Sequence, residues 1–373
     1  MRRAPRLYGT LALAGEYADE LVLATVRDVH VAVLRRAYAV AGRAGDLGRL
    51  HEGAARASYA AVGLALNGGV LALRQADRTG AGRPTESWRQ GRAVVRTVNG
   101  LVGDRLTGER SDHSYAMCVR RDGRDLAPPE LADAFPDATG DLAVFVHGLA
   151  EDDRCWDLRR EERSSYPERL SGVGWTPVVV RMNSGLSVAE NGAALAGLLD
   201  DVVSAWPVRV RRIALVGHSM GGLVVRAACV VATEATQPWA DRVSDVVTLG
   251  TPHLGAPLER LAAAGAGLLG VLPESAPFGR ILDHRSVGIL DLRHGLPRDV
   301  ANLPRARYHL VAATVSGMRA DPVGDLLVRY GSAVGRARGV ELFPGADVLH
   351  VRGHHFDILN DAAVHDAMLA WLR

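Results

Sequence analysis

The sequence predicts an α/β protein: a mostly parallel sheet with helices on both faces, preceded by a helical N-terminal region. Three observations carry this. The apolar run Ile213 to Val216 leads into Gly217-His218-Ser219-Met220-Gly221 and a helix-compatible stretch from Gly222, the strand, sharp turn and helix of a G-x-S-x-G elbow. From Leu142 onward, buried-type strands alternate with amphipathic stretches, the pattern of a parallel sheet covered on both faces. Before about residue 135, apolar residues recur instead at helical spacing.

In the N-terminal region, Leu21, Val22, Thr25, Val26, Val29 and Val33, then Tyr59 to Leu73 and Val94 to Leu106, predict three or four helices. Asn67-Gly68-Gly69 and Thr79 to Pro84 read as turns or loops between them. His30 and His51 stand alone on helical stretches and read as structural. Asp122-Gly123, Pro128-Pro129 and Pro136 mark the expected boundary, giving a helical region over 1–135 and a catalytic domain over 136–373. In that second region the expected strands are Leu142 to Val146, Pro177 to Arg181, Ile213 to Val216, Val243 to Leu249, Tyr308 to Val315 and Asp347 to Val351. The expected helices are Val188 to Trp206, the one after the elbow, and Asp361 to Leu372. Within 256–300, the apolar run Leu261 to Leu272, bounded by Pro273 and Pro277, suits either a lid over an acyl pocket or an ordinary cap helix.

Composition narrows the chemistry. A chain of 373 residues, 48% hydrophobic and 23% charged, can bury a large core, and its net charge of +2 does not point to nucleic acid. All 44 basic residues are arginine, which excludes Schiff-base, P-loop and kinase-type lysine chemistry. The three cysteines lack C-x-x-C spacing and predict no disulfide framework. The apolar stretch from Leu7 is interrupted by Glu16, Asp19 and Glu20, so neither a signal peptide nor a membrane span is read, and a cytoplasmic location is expected. An amphipathic N-terminal surface leaves a peripheral membrane contact open.

The elbow makes Ser219 the candidate nucleophile, with Gly217 and Gly221 letting strand and helix approach closely. An oxyanion hole on such a fold takes the N–H after the nucleophile and one from a loop after an earlier strand, which selects Met220 and Leu149 of Val146-His147-Gly148-Leu149. His147, Gly148, His218 and His253 are expected to shape the site rather than carry protons. The acid and base follow the serine in chain order. His355 of Gly353-His354-His355-Phe356-Asp357 is favoured as the base over adjacent His354, and Asp325 of Gly324-Asp325-Leu326-Leu327-Val328 as the acid over Asp321 and Asp347. His350 and His354 are not read as metal ligands, because no His-Glu-x-x-His spacing or Cys/His cluster accompanies them.

Val146 to Leu149, Gly217 to Gly222 and Gly250-Thr251-Pro252-His253-Leu254-Gly255-Ala256-Pro257 together resemble the α/β-hydrolase lipases and esterases related to the GPI inositol-deacylase (PGAP1-like) group. Arg181 to Gly185, Glu190 to Gly192, Asp291 to Arg293 and Gly324 to Val328 resemble segments of bacterial proteins of that type. The family's acid lies in a Gly-Asp-Gly-hydrophobic-Val segment, and Leu326 here takes the place of the second glycine. The resemblance implies a serine esterase or lipase that hydrolyses a small-molecule or lipid ester through an acyl-enzyme, with no cofactor and no nucleic-acid partner. Acyl transfer on the same residues and a non-catalytic scaffold on the same fold are the alternatives.

Overall fold

The structure is a computed structural model and describes residues 5–40, 46–109, 112–161, 163–257, 286–297, 300–337 and 339–373. The lid or cap run Leu261 to Leu272 lies outside the described residues. The chain divides into a helical unit, mainly residues 1–98, and an α/β unit built from 99–109, 114–264 and 286–373.

In the helical unit, α1 (Leu7–Tyr17) continues through a π-helical turn (Ala18–Leu23) into α2 (Ala24–Val40), and α3 (Asp46–Arg78) packs along α1. A Cβ on Gly15 of α1 would lie 2.7 Å from Val70 Cγ2 of α3, so the glycine permits this close crossing. Asn67-Gly68-Gly69, expected as a turn, lies inside α3. Each interior glycine costs a helix about 1 kcal/mol, an amount that packing along one face of a long helix outweighs.

α4 (Arg89–Glu109) leaves helical geometry at Val102, and its second part belongs to the α/β unit. There Gly103 and Gly185 let two backbones meet: a Cβ on Gly103 would lie 1.9 Å from Asn183 Oδ1, and one on Gly185 would lie 2.2 Å from the Asn99 carbonyl. Asn183 Nδ2 donates to the Gly103 carbonyl at 2.8 Å and closes the contact.

Among the described residues, eight strands form one sheet in the order β2-β1-β4-β3-β5-β6-β7-β10. They are β1 (Cys118–Arg121), β2 (Arg124–Leu126), β3 (Asp141–Val146), β4 (Thr176–Arg181), β5 (Arg212–His218), β6 (Val243–Leu249), β7 (Arg307–Thr314) and β10 (Asp347–Arg352). β8 (Arg336–Ala337) and β9 (Val340–Glu341) form a separate hairpin. All pairings from β4 to β10 in the large sheet are parallel, whereas β1 runs antiparallel to β4 and β2. The β1–β2 hairpin lies inside the region expected to be helical. Asp122 and Gly123, read as boundary markers, form its two-residue turn with φ of 50° and 75°, the double positive φ that a type I′ turn requires.

Alternation along the strands builds two cores. Leu142, Val144 and Val146 of β3 and Ile213 and Leu215 of β5 join the core that includes Leu131 of α5 (Leu131–Ala134), whereas α6 (Tyr166–Ser171) packs on the opposite face. Leu195 and Leu199 of α7 (Val188–Ala205) and Leu223 and Val224 of α8 (Met220–Glu234) complete the first core. Ala143, Phe145, Ala214 and Val216 point the other way, onto Trp156, Tyr166, Trp175 and the C-terminal helix Ala362–Trp371. Burial on both faces accounts for the unbroken apolar strands. Cys118, Cys155 and Cys229 are buried and free. No described helix is long and apolar enough to cross a membrane.

At the amino edge of the sheet, His309 bridges two carboxylates, with Nε2 2.9 Å from Asp245 Oδ1 and Nδ1 3.0 Å from Asp347 Oδ2. Its ring stacks on Trp371 at 4.7 Å. Asp245 is wholly buried and also meets Arg307 at 2.9 Å. His309→Leu removes one of its partners, so urea unfolding at neutral pH is expected to show a loss of about 3 kcal/mol; an unchanged midpoint would mean that Arg307 alone satisfies Asp245.

Candidate active site

Every segment singled out as part of the site follows the carboxyl end of a parallel strand. Gly148 follows β3, Ser219 follows β5, His253 follows β6, Asp325 follows β7 and His355 follows β10. β4 and β5 lie on opposite sides of β3, so the strand order reverses there. A crevice opens outside the carboxyl ends of strands at such a switch point.

Ser219 joins β5 directly to α8 and holds φ 52° and ψ −122°, a conformation sparsely populated by non-glycine residues. Close backbone approach enforces it. A Cβ on Gly217 would lie 2.5 Å from Gly222 Cα, one on Gly221 2.2 Å from the Val146 carbonyl, and one on Gly222 2.0 Å from Thr251 Oγ1. The Ser219 N–H donates to the Leu249 carbonyl at 2.8 Å and ties the elbow to the end of β6. Among the described residues, no hydrogen bond joins Ser219 Oγ to His355.

His355 and Asp325 meet in a buried pair, with His355 Nδ1 donating to Asp325 Oδ2 at 2.7 Å. The Asp325 loop is built to hold that carboxylate. Its Oδ1 accepts from the N–H groups of Leu327 (2.9 Å) and Val328 (2.7 Å), and its carbonyl accepts from the His355 N–H at 2.9 Å. Burial alone would raise the Asp325 carboxyl, but the His355 charge and these donors hold it below the usual aspartate range. Burial likewise opposes the His355 imidazolium, yet the Asp325 charge and hydrogen bond, with Glu151 adding to them, carry His355 above its ordinary value. His354 is half-exposed with Nε2 3.1 Å from Asp357, Asp321 caps an exposed loop through Ser316 and Val323, and Asp347 sits at the amino edge on His309.

In the loop after β3, hydrogen bonds leave one donor free. The Gly148 N–H goes to Glu151 Oε2 (2.6 Å), the Ala150 N–H to Ser184 Oγ (2.9 Å) and the Glu151 N–H to the Gly148 carbonyl (3.4 Å). The Leu149 N–H has no acceptor among the described residues. Met220 opens α8, so its N–H has no intrahelical acceptor. Gly148 itself must be glycine, because a Cβ there would lie 2.9 Å from Ser219 Cβ.

The other histidines are fixed in place. His147 Nε2 accepts from the Met182 N–H at 3.0 Å, so its Nδ1–H donates to the Gly148 carbonyl at 2.9 Å. Burial lowers its pKa and keeps it neutral. His253 meets Thr248 Oγ1 at 3.1 Å and packs on Phe343, and burial pushes its pKa down, assisted by the Arg226 charge. His218 Nδ1 donates to Glu151 at 3.0 Å, and its ring lies 4.9 Å from that of His355. Glu151 was not singled out from the sequence; its place three residues after Gly148, where its side chain can turn back to that N–H, was the available signal. The described residues contain no group of three or more side chains suited to a metal ion.

This sheet order, with the elbow after β5, is the α/β-hydrolase fold. The family model of the PGAP1-like alpha/beta domain matches residues 196–263, which span β5, the elbow and β6. No curated protein matches the chain. Among solved structures it is similar to the Bacillus licheniformis lipase BlEst2, at 20% identity and TM-score 0.41, over 62% of this chain and 91% of the lipase. It is also similar to naproxen esterase from Bacillus subtilis (15% identity, TM-score 0.38, 64% and 84% covered) and to a Pyrococcus furiosus esterase (15%, 0.40, 63% and 82%).

Leu326 stands at φ 81° with its side chain half-exposed. Left-handed geometry costs an L-residue about 1–2 kcal/mol, partly offset for glycine by its freer unfolded chain. Leu326→Gly is therefore expected to raise the midpoint of thermal unfolding; a lowered midpoint would show that the leucine contacts outweigh the strain.

Proposed function

We propose that this chain is a serine hydrolase acting on carboxylic esters. The observation that supports the reading is the buried His355–Asp325 pair beyond the carboxyl ends of β10 and β7, together with an elbow serine held at positive φ whose neighbour His218 lies 4.9 Å, ring to ring, from His355. Ser219 Oγ attacks the acyl carbon while His355 Nε2 takes its proton. Asp325 fixes the tautomer, since its bond to Nδ1–H leaves Nε2 as the acceptor, and stabilises the imidazolium that forms. The tetrahedral oxyanion takes the N–H groups of Leu149 and Met220. Collapse returns the proton to the leaving alcohol, and water, deprotonated by His355, then releases the acid and regenerates Ser219. The substrate is a small-molecule or lipid ester, and the mechanism requires neither cofactor nor metal.

Hydrolysis of p-nitrophenyl esters from acetyl to palmitoyl tests this. Ser219→Ala and His355→Ala are each expected to lower kcat by about 10⁴- to 10⁶-fold. Ester hydrolysis that survives Ser219→Ala would overturn the assignment.

The base must be neutral to accept a proton, and His355 lies above the ordinary histidine value of about 6.5. The acid limb of kcat/KM against pH is therefore expected above about pH 6.5, with rate rising as pH rises through it. Asp325→Asn should move that limb to lower pH and cut kcat by about 10⁴-fold. A limb that stays in place in Asp325→Asn would assign the titration to another group.

A further inference from the structure

A second histidine–carboxylate pair lies beside the first, and the proposed acyl transfer by Ser219, His355 and Asp325 does not use it. Glu151 is buried in the loop after β3, yet it is ionised: burial opposes its charge, but His218 and the Gly148 N–H hold its pKa down to about 2. Its carboxylate bridges two segments of chain. Oε2 accepts from the Gly148 N–H at 2.6 Å, and both oxygens lie 3.0 Å from His218 Nδ1. Gly148 precedes Leu149, and His218 stands two residues before Met220. One carboxylate thus ties together the two segments that carry the proposed oxyanion donors.

We propose that Glu151 is a positioning residue that staples the Leu149 loop to the Ser219 elbow through Gly148 and His218, and supports the charge that His355 acquires during acyl transfer. The inference rests on the serine-hydrolase reading. Three features of the geometry support it. By occupying the Gly148 N–H, Glu151 leaves the Leu149 N–H as the unbonded donor of the loop. His218, held through Nδ1, lays its ring against that of His355 at 4.9 Å, with Phe356 beside both at 6.1 Å and 5.5 Å. A Cβ on Gly148 would lie 2.9 Å from Ser219 Cβ and 3.1 Å from Glu151 Oε2, so the glycine lets the loop, the elbow and the carboxylate meet.

The charged and titratable groups around this cluster are Asp325 and His218 facing His355, and His147, Asp152, Asp153 and the buried Cys155 thiol on the β3 side. Asp325 bonds His355 directly and contributes most of its stabilisation, while Glu151 acts from the opposite segment. Loss of the Glu151 charge therefore makes the His355 imidazolium easier to deprotonate, and His355 titrates at lower pH.

Glu151→Gln keeps the shape and an acceptor oxygen for Gly148 but removes the charge, whereas Glu151→Ala removes both. Two readouts separate the proposal from the reading beneath it. The first is the imidazole titration of His355 by ¹H–¹⁵N NMR, assigned with His355→Ala, which needs no turnover. The second is kcat and KM for a p-nitrophenyl ester over a pH series.

In Glu151→Gln, His355 is expected to titrate lower by roughly half a unit, and kcat to fall about 10- to 100-fold with KM held within about twofold. Glu151→Ala should show the same shift in titration and a larger loss of kcat, because the staple is lost with the charge. A Glu151→Gln protein that retains the wild-type melting temperature but leaves the His355 titration or kcat unmoved overturns the proposal. If the wild type shows no Ser219-dependent turnover, the hydrolase reading fails, while an unmoved His355 titration in that case still refutes the coupling and a shifted one upholds it.

Discussion

The site depends on backbone packed against backbone at the end of β3. Gly221, in the first turn of α8, lies so close to the Val146 and His147 carbonyls that a Cβ would stand 2.2 Å and 2.6 Å from them. This approach brings the loop after β3 within contact of the elbow after β5 and fixes Ser219 in its strained conformation. The cost of such a conformation is about 1–3 kcal/mol, which only a rigid surround can sustain. Here the surround consists of two strands buried on both faces and a helix whose first turn is wholly buried. Gly217 and Gly222 serve the same approach from the strand and helix sides.

Around this contact, burial and pairing compete at each ionisable group, and the local partner decides the result. His147 has only a backbone amide and a carbonyl as partners, so burial wins and the ring is neutral. His355 is equally buried, but its carboxylate partner reverses the balance. Asp325 and Glu151 remain ionised in the interior because each accepts backbone N–H donors in addition to an imidazole. Two buried histidines thus acquire different chemistry from their partners. The amino edge of the sheet repeats the carboxylate–imidazole motif at His309, where it joins three strands and lies away from the crevice.

Local signals reached the elbow and the strands because those features are written in short windows. A glycine pair around a serine, flanked by an apolar run and a helix-compatible run, admits few other conformations. The sequence selects Leu149 by its place after β3, but the hydrogen bonds of Gly148, Ala150 and Glu151, which leave its N–H without an acceptor among the described residues, cannot be read there. Glu151 carries no motif of its own, because one partner, Gly148, is three residues away and the other, His218, is far along the chain. The β1–β2 hairpin was obscured by its short strands and by the reading of Asp122-Gly123 as a boundary, although a two-residue Asp-Gly turn is a strong hairpin signal. The α3 glycines misled in the opposite sense, because packing on α1 outweighs local propensity. Leu326 could be read as a departure from a glycine, and its φ of 81° gives that departure a conformational meaning.

The sheet order also governs when the site can come into being. β3 pairs with β5 and β4, not with a hairpin neighbour, and β10 closes the far edge against β7. Such pairings span long stretches of chain, so loop-closure entropy is spent before they form, and folding of this kind is slow. β5, the elbow and β6 are close in sequence and can associate early, but His355 arrives only with the last strand. A chain halted on the ribosome before β10 would carry Ser219 without His355. The proposed nucleophile and its proposed base therefore come together only once β10 has joined β7.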